Sequence, residues 1–438
     1  MSEEGRSKVI ADHPISVHDK DHFKRNERNF LKRYFYLIIS VLAMCTCGLM
    51  YNWTVFSESV QAGLLCTPGQ SSKVFSLCLM FYSISGLASG FLYGKIPYTA
   101  TIFTSSAMIG MGIIVSSYAV NIQTIYLFYG VIFGFGAGFT FKSIITAILT
   151  WFPDKSGFAG GMLLMGVGLT ACIFNVPSNY MISQYGWRTA LRAVGIVALC
   201  LSMLPAVFVR PKKEGVPAAR KKQDTGTHQY TTLEMIRSTK FYFYFIWSVV
   251  LLAACTCIAG NSSSIAKSFG LNATVAAALT TIISLFNSVS RVIYGVIYDK
   301  KGRKAAMSIS TLLFICAVGS LFFSLFTKNA AALVVAYVFV GLSFGASPSV
   351  SSAYTFETFG NEHYASNFSI QGTYTLFSSL LGSTLFGILF SKNNSYLLSF
   401  QFLILYAVIA PISLLILNRV LKKAESESAC RKKEQTVL

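Results

Sequence analysis

Apolar residues in this chain come in runs of about twenty, separated by short polar turns. They show neither the period-two alternation of a half-buried strand nor the single apolar stripe of a soluble helix. A helix of about 20 residues rising ~1.5 Å per residue crosses the ~30 Å hydrocarbon core of a bilayer. The runs therefore predict membrane-spanning helices at 35–57, 73–95, 98–119, 124–150, 158–181, 190–210, 240–262, 273–298, 305–327, 330–354, 365–390 and 396–418. A long polar connection, Arg210 to Lys240, carries Pro211 and Pro217 and the basic runs Lys212-Lys213 and Arg220-Lys221-Lys222. It divides the twelve spans six and six.

Composition supports the same class. Of 438 residues, 53% are apolar and only 12% charged, about half the ~25% charged fraction of a soluble domain. Roughly 230 apolar residues supply close to a dozen spans, and twenty-residue runs favour helices over a β-barrel because each helix satisfies its own backbone hydrogen bonds. The first thirty residues are polar and mixed in charge, without the apolar core of a signal peptide. The expected organisation is a tail at 1–34, a six-helix bundle at 35–210, a linker at 211–239, a second bundle at 240–418 and a disordered polar tail at 419–438.

The net charge of +19 would suggest nucleic acid in a soluble protein, but its placement gives another reason. On the twelve-span topology 28 of the 36 Lys and Arg lie on one side and 6 on the other. By the positive-inside rule this places both termini, the linker and the basic loops in the cytosol. No nucleic-acid partner is needed to account for the charge, and the bilayer is the expected environment, most simply the cell membrane. Of the ten cysteines, eight (Cys45, Cys47, Cys78, Cys172, Cys200, Cys255, Cys257 and Cys316) lie inside apolar runs and read as reduced, small hydrophobes. No His or carboxylate stands near the Cys-x-Cys pairs, so neither a metal nor another cofactor is expected.

The two halves repeat one another. Ala43-Met-Cys-Thr-Cys47 recurs 210 residues on as Ala253-Ala-Cys-Thr-Cys257. Gly90-Phe-Leu-Tyr93 recurs at an offset of 205 as Gly295-Val-Ile-Tyr298, and Gly134, Gly138 and Phe152 recur at 207 as Gly341, Gly345 and Phe359. A nearly constant offset predicts two pseudo-symmetric bundles in parallel, the layout of secondary transporters.

At the end of the eighth span the chain reads Gly295-Val-Ile-Tyr-Asp299-Lys-Lys-Gly302-Arg303-Lys304. This segment resembles the signature loop of the major facilitator superfamily. The resemblance implies a twelve-helix fold in two six-helix bundles, with Asp299 and Arg303 bracing neighbouring helices as gating residues and Gly302 permitting a tight turn. In the first half the same place reads Gly90-Phe-Leu-Tyr-Gly94-Lys95-Ile-Pro97, without the Asp. Gly48-Leu-Met-Tyr51-Asn-Trp53-Thr-Val55-Phe56 and Trp151-Phe-Pro-Asp154-Lys155-Ser-Gly157 are similar to the oxalate/formate antiporter family, which is related to monocarboxylate transporters. That family uses a span-eight Arg, here Arg291, together with a span-eleven Lys. Span eleven of this chain, Ser369-Ile-Gln371-Gly-Thr373-Tyr374-Thr375, has no Lys.

The charged residues inside spans point to a substrate without reference to the family. A buried charge is costly and marks a functional cavity by default. Arg291, eight residues before Asp299, and Lys142, nine before Trp151, lie about 12–13 Å from the same membrane face in opposite bundles. All 17 carboxylates fall in tails, loops or span ends, Glu58 and Glu357 coming nearest to a span interior. Two midplane cations without counter-ions predict an anionic substrate. A planar guanidinium fork and an adaptable ammonium suit a small carboxylate. A neutral lysine or bound chloride is the remaining alternative.

Tyr51, Trp53, Tyr82, Phe141 and Tyr374 are candidate walls of that site, and Asn287, one turn before Arg291, is placed to orient its fork. No Asp, Glu or His relay lies within a span, which favours anion exchange or uniport over proton symport through a protein carboxylate. No nucleophile, base and orienter constellation exists, so the chain is read as a transporter and not an enzyme. The expected function is a monomeric secondary transporter of small mono- or dicarboxylates such as oxalate, formate or pyruvate, working by alternating access, with exchange as its mode. A monocarboxylate carrier and a transporter-fold anion sensor are the alternatives.

Overall fold

The computed structural model describes residues 17–211, 229–360, 362–379, 381–382 and 396–437. Among these residues the ordered elements are helices, with one isolated bridge between Tyr93 and Ile96. The chain opens with α1 (Val17–Cys47), passes through a tight turn at Gly48–Asn52 and continues as α2 (Trp53–Leu64). Next come α3 (Pro68–Leu92), α4 (Tyr98–Ser116), α5 (Ile122–Ile125) and, beyond a wide helical turn at Tyr126–Phe133, α6 (Gly134–Leu149) and α7 (Ser156–Phe208). After the linker come α8 (Thr232–Arg237), α9 (Thr239–Ser268), α10 (Ala273–Thr327), α11 (Ala330–Phe344) and α12 (Ala346–Phe359). The chain ends with α13 (Tyr364–Gln371), α14 (Tyr374–Ser379) and α15 (Tyr396–Val437).

Among the described residues nine helices are long and apolar enough to cross a membrane. Two of them are double. At 1.5 Å per residue the 53 residues of α7 would measure about 80 Å, more than twice a hydrocarbon core. Both α7 and α10 are interrupted by one glycine in a conformation open essentially to glycine alone: Gly186 at φ 79°, ψ 160° and Gly302 at φ 79°, ψ 175°. Each is therefore a pair of spans joined at a sharp turn. With α13 and α14 opening a further span, the order of the sequence-predicted helices is accounted for. The rest of that span and the start of the next, 383–395, lie outside the described residues, as do 1–16 and the basic runs of the linker within 212–228.

The buried apolar residues form two main cores. One gathers side chains from Tyr36 to Val209 and takes in Tyr364 and Phe368, while the other runs from Met235 to Leu421. Large apolar side chains such as Phe103, Met111, Leu312 and Leu415 point outwards, as helices in lipid require. The internal repeat reappears in the packing. A methyl added at Gly134 would stand 2.7 Å from the Cys78 carbonyl oxygen, and one at Gly341 would stand 2.7 Å from that of Ile283. Gly138 packs on Tyr82 and Ser85, and Gly345 packs on Asn287 and Ser290. Cys78, Tyr82 and Ser85 become Ile283, Asn287 and Ser290 at the single offset of 205.

The C-terminal tail departs from the sequence reading. The segment from 419, expected as disordered polar chain, continues α15 as helix to Val437. It contains neither Gly nor Pro, and its Lys, Glu and Ala residues are strong helix formers. Residues 17–34 of the N-terminal tail join the first span as one helix. The linker also carries structure of its own. Thr231 caps α8 through the Glu234 amide, and Glu234 reciprocates, a complete capping box.

Candidate functional site

The halves meet through α7 and α10 and through α3 and α13. Glycines make the first contact possible. A methyl on Gly157 would lie 2.5 Å from the Gly295 carbonyl oxygen, and one on Gly161 would press on the Arg291 carbonyl. At the end of the molecule bearing Gly302, the Asp299 carboxylate accepts hydrogen bonds from the Gly157 and Phe158 amides at 2.9 and 2.7 Å. These are the first amides of α7, whose N–H groups have no helical partner and whose dipole favours a negative charge. Asp299 thus caps a helix of the opposite half. Nearby, Ser366 donates to the Gly90 carbonyl at 3.2 Å, and within the first half Arg33 pairs with Asp154 at 3.0 Å. Arg303 lies two residues past Lys301 in the same turn, within electrostatic reach of Tyr298 and Tyr354. This end of the molecule is closed.

Deeper in, each half contributes one buried cation. Lys142 on α6 is 9% exposed and Arg291 on α10 is 8% exposed. Each reaches across to a main-chain carbonyl of the other half. Lys142 Nζ donates to the Phe368 oxygen at 3.0 Å and lies 3.6 Å from the centroid of the Phe368 ring. Arg291 Nη1 donates to the Leu164 oxygen, and its Nε to Asn287 Oδ1 at 3.4 Å. Ser290, adjacent in sequence, bonds main-chain oxygens and leaves the guanidinium to Asn287. Among the described residues neither cation has a carboxylate partner. A single buried charge held only by dipoles is a costly arrangement that an anion would relieve.

Beside Lys142 lies a cavity of about 90 Å³. Tyr82, Phe141, Lys142, Phe368 and Tyr374 face it, with Ser351, Ser369 and Thr373 among its polar wall. It lies where α13 gives way to α14, and Gly372 in that break leaves room for the ammonium: a methyl there would come within 2.6 Å of Nζ. Arg291 does not line this cavity, though Leu164, whose oxygen it holds, does.

The remaining wall candidates separate. Tyr51 is 46% exposed, beside Phe75 and within electrostatic reach of Arg291. Trp53 is not a wall. It is 2% exposed in the first bundle's core, its Nε1 donating to the Ser71 oxygen at 3.0 Å and its ring 4.9 Å from that of Tyr129. Two residues apart on one helical stretch, Tyr51 and Trp53 stand about 200° apart around the axis, so two aromatics that share a motif look in different directions. Phe368, Ser351, Ser369 and Gly372 went unnoticed in the sequence, since neutral residues in a span carry no sign of the desolvation cost that draws attention to a charge. The absence of a lysine in span eleven is now given a geometric counterpart. The ammonium of Lys142 arrives from the other half and sits against the same stretch of that span.

The sequence profile of the Major Facilitator Superfamily matches residues 37–383 and 254–435. The chain is 25% identical to the oxalate:formate antiporter of Oxalobacter formigenes over 381 residues, 84% of this chain and 88% of that protein. It is 23% identical to the uncharacterized MFS-type transporter YhjX of Escherichia coli over 344 residues, 77% and 83% of the two chains. With monocarboxylate transporter 14 of Mus musculus the identity is 26% over 154 residues, 34% of this chain and 30% of the other. Among solved structures, the proton:xylose symporter XylE superposes with a TM-score of 0.73 at 14% identity, covering 89% of this chain and 96% of that one. FucP in its outward conformation gives 0.65 at 12% identity, covering 88% and 99%.

Proposed function

The chain belongs to the major facilitator superfamily, an integral membrane protein of a family that carries small molecules and is not enzymatic, and we propose that its cargo is a small organic anion, a mono- or dicarboxylate, moved by exchange. The observation that carries this reading is the pair of buried cations, Lys142 and Arg291, one from each half and neither paired with a carboxylate among the described residues. The similarity to an oxalate:formate antiporter over 84% of the chain and the shorter one to a monocarboxylate transporter point to the same class of cargo. The protein works as a monomer in the cell membrane, with the basic loops and both termini in the cytosol. The closed end is then the cytosolic one. Alternating access proceeds by rocking the two bundles about the level of the cations, with Asp299 released from the α7 amides when that end opens.

Counterflow in proteoliposomes tests this. Purified protein is reconstituted, and labelled oxalate, formate, pyruvate, lactate and succinate are offered to empty and to preloaded vesicles. Accumulation that requires a carboxylate inside supports exchange and ranks the cargo. Equal uptake into empty vesicles, enhanced by an inward proton gradient, would favour a monocarboxylate carrier. Movement of a neutral solute alone would remove the anion reading.

A further inference from the structure

The first part of span eleven is a separate piece of helix. Before α13 the chain turns at Gly360, whose φ of 84° and ψ of −177° belong essentially to glycine. After α13 the hydrogen bonds close over three residues instead of four: the amides of Thr373, Thr375 and Leu376 donate to the oxygens of Ile370, Gly372 and Thr373. A tightened turn inside a helix commonly marks a hinge. α13 therefore stands between two points of bending.

Its faces have different partners. Ser366 donates to the Gly90 oxygen of α3, and a methyl added at Gly90 would stand 2.7 Å from the Ala365 oxygen, so this side lies against the first half. At about 100° per residue, Tyr364, Asn367 and Gln371 fall within about 60° of one another on a different side. All three are buried, yet the Tyr364 hydroxyl, Asn367 Oδ1 and both polar atoms of the Gln371 amide have no hydrogen-bond partner among the described residues. Buried polar groups left unpaired are costly. α13 is held in this position by contacts elsewhere.

The end of the linker supplies them. On one side of Gly360 the Tyr230 amide donates to the Phe359 oxygen at 3.0 Å, and on the other the Glu362 amide donates to Gln229 Oε1 at 3.2 Å. Asn367 Nδ2 then donates to the Tyr230 oxygen at 2.9 Å. The Tyr230 ring meets that of Phe359 edge-on, 5.5 Å between centroids, and its hydroxyl accepts from Lys240 Nζ at 3.2 Å. Thr231 is the cap of α8, so a folded element fixes the register of the hold. These hydrogen bonds bridge the first hinge and grip α13 away from its α3 side.

We infer that Gln229–Thr231 is a latch: by fixing α13 against α3, the linker sets how readily the closed end opens, and its release is a step of opening separate from the Asp299 seam. This goes beyond the cargo reading and does not depend on it.

The test accordingly needs no cargo. Ser352 is fully buried where α12 packs on Gly160 of α7. The rate of thiol alkylation that S352C adds to the purified full-length protein, taken well below its melting temperature, reads opening of that end. N367A should raise this rate about two- to tenfold, the net contribution of one hydrogen bond, and Q229A/N367A should raise it further. Y230F keeps the main-chain bonds and should leave the rate at the parent's value. An unchanged rate in N367A and in the double variant, even with a lowered melting temperature, overturns the latch and leaves the segment a structural support. A rise in Y230F equal to that in N367A overturns it as well, because the hold would then lie in the Lys240 contact. Should N367A fail to fold, Q229A, at an exposed residue, decides in the same way.

Discussion

Gly372 shows how little space separates the anion site from the main chain. A methyl at this position would press within 2.6 Å of Lys142 Nζ, the far end of a flexible side chain. The fold should therefore tolerate Gly372→Ala, while the ammonium is pushed from the Phe368 carbonyl. The expected result is a melting temperature close to wild type and an anion affinity altered severalfold, read by direct binding of a labelled carboxylate to purified protein. At this scale the sequence is informative about charge and poor about direction. Lys142 and Arg291 stand out because ionised groups in a span are expensive. Ser351, Ser369 and Phe368 carry no such mark, and although helical spacing puts Tyr51 and Trp53 on different faces, it does not say which opens towards Arg291 and which turns into the bundle to bond Ser71.

The helices were legible where they are continuous and apolar. What the pattern does not give is where they are bent or broken. The break between Gln371 and Tyr374 falls inside an apolar run, and Gly302 was readable only as a turn former, not as a point where φ takes 79°, a conformation that Gly186 shares. At Gly302 any side chain meets a conformation costing about 1–3 kcal/mol, so Gly302→Ala should lower the melting temperature and slow exchange without changing anion affinity. Asp299 offers a sharper test of the seam. Its two oxygens each take one amide of α7. Asp299→Asn keeps one acceptor and loses the charge that favours the helix N-terminus, weakening the closed end by about 1–3 kcal/mol. Alkylation of S352C, a cysteine placed where the buried Ser352 of α12 packs on Gly160 of α7, should rise accordingly, with anion binding to the open form preserved.

In the whole molecule, the nearly constant offset between the halves was visible in the sequence because repeats preserve small residues where helices cross closely. Its structural meaning is the pairing of Gly134 with Cys78 and of Gly341 with Ile283. The relation between the halves was not visible, because a chain that rocks has more than one set of contacts and its sequence must serve all of them. Lys142 on Phe368, Arg291 on Leu164 and Asp299 on α7 belong to the state closed at the basic end.

The two unpaired cations also make this protein an electrical object. If they cross part of the membrane's electric field as the bundles rock, the empty carrier moves positive charge while a carrier loaded with a dianion moves none. One elementary charge traversing 100 mV is worth about 2.3 kcal/mol, nearly a fiftyfold bias in the resting orientation. A rapid concentration jump of dianion on a protein-loaded supported membrane should evoke a transient current, smaller with a monoanion and abolished in K142Q. The voltage across the cell membrane would then be a second hand on the exchange, deciding at which face the unloaded protein waits and how fast it returns for its next passenger.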